Sequence, residues 1–267
     1  MTAAGSRPLI EFDAVSKLYG ERAVVDALSL TVTGGGIHCL LGPNGAGKTT
    51  TIHMLMGLRN PTSGDIRIEG VSVGSPHIQT TRRRMGFLAD QPDLYEDLTG
   101  REFLQFLAEL YEMPDRTGSL EGIVRSLEID GELDRPLAAC SLGVRKKIAL
   151  VGALVPDPQL LVLDEPPGAL DAQAARVVKD LLRSMRAEGK LVLFSTHIME
   201  IAQQLADTIS IIRAGRLLFT GSLTELRDRH GSRIDEDLET IFLRLTARDG
   251  NGARRQESDT QASVPLP

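Results

Sequence analysis

Cysteine is scarce in this chain: its 267 residues contain only Cys39 and Cys140. Two thiols cannot build a disulfide framework, and their rarity fits a reducing compartment. Cys39 lies in a buried-strand pattern as a small core residue, and Cys140 stands at a helix start, where packing is its expected role and a reactive thiol the alternative. Long apolar runs are missing too. Nothing approaches the roughly 18 continuous apolar residues that a membrane span needs. The opening stretch, MTAAGSRPLIEFD, has no apolar segment of the kind that a secretory signal carries. Positive charge is in deficit: Lys and Arg number 30 against 36 Asp and Glu, a formal net charge of −6. That balance argues against a nucleic-acid or anionic-membrane binder, whose phosphate contacts need excess cations, so no nucleic acid is expected as a partner. Even Arg82-Arg83-Arg84 reads as a solvated helix edge in so acidic a chain. His38, His53, His77 and His230 lack metal-ligand spacing, and the chain has no internal repeat. What remains, at 42% hydrophobic and 25% charged residues, is a soluble cytosolic α/β protein long enough to bury a full core.

Patterning divides the chain into segments. LIEFDAVSKLYG and ALSLTVTGG alternate apolar and polar residues, which predicts an antiparallel strand pair near the N-terminus. GIHCLLG is a short apolar run feeding a glycine-rich loop and then a helical stretch, TTTIHMLMGL. NPTSGDIRIEG reads as a turn and a strand. From about residue 98 to 153 the texture is helical, an insertion before the sheet resumes. Thr99 and Glu102 have capping-box spacing, flanked by Leu98 and Phe103 as a hydrophobic staple. Phe103, Phe106, Leu107 and Leu110 then follow at i, i+3, i+4 and i+7, predicting one buried helix face. QLLVLDE (159–165) and KLVLFSTH (190–197) are near-continuous apolar runs, as in a parallel sheet covered on both faces. The segment between them, QAARVVKDLLRSMRAEG, supplies a crossover helix, and TISIIRAG with RLLFTG makes a last strand pair. Leu238, Ile241, Phe242 and Leu245 mark a short amphipathic helix, and residues 248–267, polar and patternless, are expected to be a disordered tail.

Chemistry concentrates at two places. Gly42-Pro43-Asn44-Gly45-Ala46-Gly47-Lys48-Thr49, followed by Thr50, matches the phosphate-binding pattern G-x-x-x-x-G-K-[ST] in full. Glycines let backbone N–H groups turn inward around phosphate oxygens, and the helix N-terminus that follows adds its dipole. Lys48 would reach the β- and γ-phosphates, and the Thr49 hydroxyl would ligate Mg²⁺. The second place is Leu160-Leu-Val-Leu-Asp164-Glu165, an apolar strand ending in two acids. Beside a P-loop, Asp164 would hold the metal through water and Glu165 would act as general base on the attacking water. The expected fold is therefore α/β: a P-loop NTPase core with a mainly parallel sheet, an N-terminal antiparallel β subdomain and an inserted helical subdomain.

With these motifs in place the chain, over residues 8–245, resembles the nucleotide-binding subunit of ATP-binding cassette (ABC) transporters. The resemblance implies further roles. Tyr19 in KLYG stands where the family stacks an aromatic ring on adenine. His197 in FSTH stands where a switch histidine contacts the γ-phosphate, and Asp171 in Gly168-Ala-Leu-Asp171 where the family communicates across a dimer interface. The family's signature, typically L-S-G-G-Q, corresponds to Cys140-Ser141-Leu142-Gly143-Val144, followed by Arg-Lys-Lys. Ser141 and Gly143 are kept, at a helix start suited to donating to phosphate; Leu142 and Val144 depart. The family's drug-, polysaccharide- and copper-enzyme-related exporters often vary these two positions, and LYEDLTGREFLQFLAELY and DLETIFLRLT resemble that branch as well.

Two further departures stand out. The metal-side loop usually carries Gln or Glu where this chain has Asp90, whose side chain is shorter than Glu by about 1.5 Å. Either Asp90 serves the metal, through water, or Gln91 takes its place. Pro167 stands where Thr is common.

In the family each ATP is held between one subunit's P-loop and the other's signature, so a single chain holds two half-sites. A second copy or a paralogous ABC subunit is the implied partner. Separate integral-membrane permease subunits are implied too, meeting the cytoplasmic face of the cell membrane through a groove near residues 86–100. The expected function is to power an exporter by ATP-driven dimer closure. A soluble, non-transport ABC ATPase and a weakly hydrolysing regulatory subunit are the alternatives.

Overall fold

The computed structural model describes residues 8–166, 171–229 and 238–245. The disordered-tail expectation for 248–267, and the loop 167–170 ahead of Asp171, lie outside them. Two sheets organise the chain. The first is antiparallel, in the order β2-β1-β4-β5: β1 (Pro8–Tyr19), β2 (Arg22–Thr33), β4 (Ser63–Ile68) and β5 (Val71–Ser72). The strand pair expected at the N-terminus is thus half of a four-stranded sheet.

The second sheet runs β10-β9-β3-β8-β7-β6. It comprises β3 (Gly36–Leu41), β6 (Met85–Leu88), β7 (Leu160–Asp164), β8 (Leu191–Thr196), β9 (Thr208–Arg213) and β10 (Arg216–Gly221). Every pair is parallel except β9–β10. Its central strands are apolar on both faces because each face meets a separate core. Cys39 and Leu41, Leu161 and Leu163, Val192 and Phe194 point into one cluster, while Leu40, Leu160, Val162, Leu191 and Leu193 point into the other. Period-two alternation is hidden here, since both sets are apolar.

α1 (Lys48–Leu55) follows β3, a short α2 (Ile78–Arg82) precedes β6, and α7 (Ala172–Ala187) crosses from β7 to β8. α8 (Met199–Leu205) and α9 (Leu223–Arg229) follow β8 and β10. The helix over 238–245 buries Leu238, Ile241 and Phe242 in the first cluster. Between β6 and β7 the chain is helical: α3 (Gly100–Leu110), α4 (Arg116–Ser119), α5 (Glu121–Ser126), two short 3-10 turns and α6 (Leu142–Leu154).

The capping box at the start of α3 forms in full, with the Thr99 hydroxyl accepting from the Glu102 N–H and the Glu102 carboxylate from the Thr99 N–H. The helix face differs from the expected one. Gly100, Phe103, Leu104 and Ala108 are buried with Leu107 packed beside them, whereas Phe106 and Leu110 are exposed. Gly100 sets the rotation. A Cβ there would lie 2.9 Å from the Ile148 Cδ1, so the helix approaches α6 at its glycine, and the stripe starts three residues before Phe103. Phe106 instead meets exposed Tyr95 edge-on, with ring centroids 5.6 Å apart.

One core group couples stability to pH. His38 is buried in β3, with its Nε2 2.9 Å from the Ser210 hydroxyl. Burial lowers its pKa from 6.5 to about 4. The unfolded chain takes up that proton near pH 6.5 and the folded one only near 4, so stability should fall through this window as pH drops. The full loss at pH 4 amounts to about 3 kcal/mol. Urea denaturation at pH 7.0, 5.5 and 4.5 should show it, with a flatter dependence in His38→Gln; equal slopes would remove His38 as the cause.

Candidate active site

The carboxyl ends of β3, β7 and β8 converge because their register brings Leu41 opposite Thr196 and Asp164 opposite Ser195. A one-residue slip would turn Asp164 to the other face of the sheet. Past β3 the chain forms the loop Gly42–Gly47, which two glycines make possible. A Cβ on Gly42 would run into the Ile212 carbonyl, and Gly47, at φ +104°, has the Val24 carbonyl 2.6 Å from where its Cβ would stand. Pro43, Asn44 and Gly45 form an exposed tip, Ala46 is buried, and Thr49 is exposed and Thr50 half-buried in the first turn of α1.

Lys48, 5% exposed, folds back across this loop. Its ammonium donates to the Gly42 carbonyl at 2.8 Å and the Pro43 carbonyl at 3.2 Å, and pairs with the Glu165 Oε1 at 3.2 Å. The other Glu165 oxygen lies 3.0 Å from the His197 Nδ1. Lys48, Glu165 and His197 thus form one chain of contacts. Asp164, buried beside them, accepts from the Ser195 hydroxyl, and the same Ser195 oxygen accepts the Glu165 N–H at 3.1 Å.

Ser195 is a member of this group that sequence reasoning missed, because FSTH was read for its histidine. The available signal was a hydroxyl closing an apolar run, one residue before the strand ends at Thr196.

The remaining candidates stand elsewhere. Tyr19 ends β1, half exposed, with the Lys17 ammonium 5.4 Å from its ring centroid. Ser141 caps α6, its hydroxyl accepting from the Val144 N–H at 3.3 Å, with Leu142 exposed and Gly143 half-buried next to it. Among the described residues no hydrogen bond or ion pair joins Ser141 or Gly143 to Lys48 or Asp164. Asp171 caps α7 by accepting from the Ala174 N–H at 2.8 Å and pairs with Lys147 at 2.7 Å. Those two contacts, the backbone one foremost, hold its carboxyl below the usual carboxylate range. Asp90, in the loop after β6, lies 3.3 Å from the Lys146 ammonium, which also donates to the Glu165 carbonyl. Gln91 is exposed and faces the wall of a groove instead.

Residues 25–168 match the family described as ABC transporter. The chain is 37% identical over 224 residues to the Nod factor export ATP-binding protein I of Ralstonia nicotianae, an overlap of 83% of this chain and 70% of that protein. The chain belongs to the ABC transporter family. The homonymous protein of Paraburkholderia xenovorans is also 37% identical, over 235 residues covering 87% of this cassette and 76% of the relative. A solved structure of an ATP-binding subunit of an ABC transporter superposes with a TM-score of 0.83 at 31% identity, covering 89% of this chain and 99% of that one. The fold is shared with a dimeric ATP-binding cassette bound to ADP and Pi, at a TM-score of 0.71 and 23% identity, over 80% of this chain and 98% of that one.

ABC ATP-binding proteins hydrolyse ATP, and this cassette is one of them. As a transporter subunit it works with membrane subunits, and no helix among the described residues is long and apolar enough to cross a membrane. The donor set also fits a divalent cation beside the phosphates. The Asp164 Oδ2 is buried and has no hydrogen-bond partner among the described residues, an arrangement costly for a carboxylate unless something else satisfies that oxygen.

Proposed function

We propose that this cassette energises an exporter whose membrane-spanning subunits are separate chains, by closing on a second ATP-binding cassette when ATP binds at Lys48. The observation that carries the reading is the Lys48–Glu165–His197 chain of contacts at the end of the P-loop sheet. Export itself is supported by the relatives, which are Nod factor export ATP-binding proteins.

The chemistry follows from the charges. Arriving phosphates offer Lys48 a stronger partner than Glu165, since the phosphate tail carries several negative charges and fits the loop's N–H groups. Glu165 is then free to take a proton from water as the water oxygen attacks the γ-phosphorus and the bond to the β–γ bridging oxygen breaks, leaving ADP and inorganic phosphate. His197 holds the Glu165 carboxylate in place and faces the γ-phosphate. Thr49 and Asp164, with Asp90 through water, would hold Mg²⁺. The ion, when bound, neutralises charge developing on the phosphates. Tyr19 would stack on adenine. Ser141 and Gly143 would complete the partner's site across the interface, with Asp171 beside it.

Docking to the membrane subunit, at the cytoplasmic face, is assigned to an apolar groove of about 570 Å³ between β6 and the helical segment, lined by Met56, Leu58, Phe87, Leu94 and Leu107. Exposed Tyr95 lies next to Leu94 in the same loop. A helix of the permease fits such a slot by burying apolar side chains. Tyr95→Glu should abolish co-purification with the permease and leave ATP affinity within about twofold, because a charge then faces a desolvated contact. Unchanged co-purification would remove this assignment. Leu98, packed on the core, is a poorer probe, since a charge there would disturb the fold.

The function as a whole is tested by reconstituting cassette and permease in vesicles. ATP hydrolysis should rise on assembly, and transport should stop when ATP is replaced by a non-hydrolysable analogue.

A further inference from the structure

Three consecutive basic residues follow the Ser141-capped turn of α6, and each reaches a different loop. Arg145 pairs with Glu96 at 3.0 Å and Lys147 with Asp171 at 2.7 Å. Both partners are exposed carboxylates, and such pairs contribute little. Lys146 differs. It is 1% exposed, and its ammonium donates to the Glu165 main-chain carbonyl at 3.0 Å while pairing with the Asp90 carboxylate at 3.3 Å. A cation removed from water this far persists only where it is compensated.

Glu165 needs such a restraint. Its φ of +48° lies in the left-handed region, which a residue with a Cβ occupies at a cost of about 1–3 kcal/mol and only where its surroundings hold it. The Glu165 N–H is held by Ser195 from β8 and its carbonyl by Lys146 from α6. The backbone on either side of the Glu165 Cα is therefore fixed from two different elements, and the direction of the carboxylate toward Lys48 and His197 follows from it.

We propose that Lys146 is a positioning residue for ATP hydrolysis, fixing the Glu165 backbone to the signature helix with Asp90 as its counter-ion. The inference rests on the reading of Glu165 as the general base. It gives Asp90 a duty beyond the metal side: its carboxylate, 48% exposed and within reach of water, balances the one buried charge through which α6 grips the turn after β7. Movement of α6 as two cassettes close is then felt at Glu165 through a single ammonium.

The test measures steady-state kcat and KM with Mg²⁺-ATP, and the Kd of a fluorescent ATP analogue, in the full chain. Lys146→Met keeps the packing of the stem and removes the charge. It should lower kcat by about 10- to 100-fold, as small misplacements of a reacting group do, with KM and Kd within about threefold. Lys146→Arg, able to donate to both acceptors, should recover most of the loss. Asp90→Asn combined with Lys146→Met should cost less than the product of the two single losses, because the pair shares one contact while Asp90 keeps its separate metal-side duty.

A wild-type rate in Lys146→Met overturns the proposal. So does a loss that arginine fails to rescue, or a double variant whose loss is the full product of the two single ones. Should Lys146→Met not fold, the remaining single variants decide: near-wild-type Lys146→Arg beside an Asp90→Asn with reduced kcat, unchanged Kd and an unchanged Mg²⁺ dependence supports the proposal, and any other pairing overturns it. A wild-type chain that closes into an ATP-bound dimer without turnover overturns the reading of Glu165, and this proposal with it.

Discussion

Glu165→Gln should bind ATP about as tightly as the wild type and lose at least about 10²-fold in turnover, the scale on which a positioned base contributes. Glutamine keeps the length and the hydrogen-bonding shape that meet His197, but it cannot take a proton from the attacking water. With hydrolysis blocked, ATP-bound cassettes have no route back to the open state and should accumulate as closed dimers. Light scattering with and without ATP reads this directly as a doubling of mass. The outcome also decides what the altered signature does. Leu142 is exposed next to the capping Ser141, on the surface assigned to the partner's nucleotide. A dimer would mean that Ser141 and Gly143 complete the site despite Leu142 and Val144. A protein that binds ATP and stays monomeric would mean that the closing surface belongs to a paralogous cassette, or that membrane subunits must hold the pair together.

Features encoded within a few consecutive residues were legible without coordinates. The P-loop, the acid-ended strand 160–164 and the capping box at Thr99 are local: their spacing alone defines a turn, a strand end or a helix start. The crossover between two buried strands likewise implied a parallel sheet, and four parallel pairings are present. What escaped depends on partners distant in sequence. The rotation of α3 is fixed by the approach of Gly100 to Ile148, so the aromatic spacing of Phe103 and Phe106 misled. β5 and α2 have two and five residues, too few for a period to show. Ser195 and Lys146 matter only because register and helix packing carry them to Asp164 and Glu165, 31 and 19 residues away in the chain. In the sequence Lys146 was one of three basic residues after the signature, and nothing in the triplet says which is buried.

Lys48→Met carries the second large effect, and it should separate two duties of one side chain. Toward nucleotide, the ammonium would supply charge-assisted hydrogen bonds to the phosphates, each contributing about 1.5–3 kcal/mol. Losing two of them predicts a fall in ATP affinity of at least about 100-fold. Titration with a fluorescent ATP analogue measures that loss, and the rise in melting temperature that ATP gives the wild type should vanish with it. Without nucleotide, Lys48 is a strut. It ties the Gly42 and Pro43 carbonyls to Glu165, in a pair 5% and 14% exposed. Removing one member of so buried a pair leaves the other charge uncompensated, so the nucleotide-free variant should also melt lower than the wild type. The double variant Lys48→Met/Glu165→Gln discriminates the causes. If the stranded carboxylate is what destabilises, neutralising it should restore part of the melting temperature and none of the ATP affinity. Recovery of neither would trace the loss to the loop carbonyls alone, and an unaltered ATP affinity in Lys48→Met would remove Lys48 from the phosphate site.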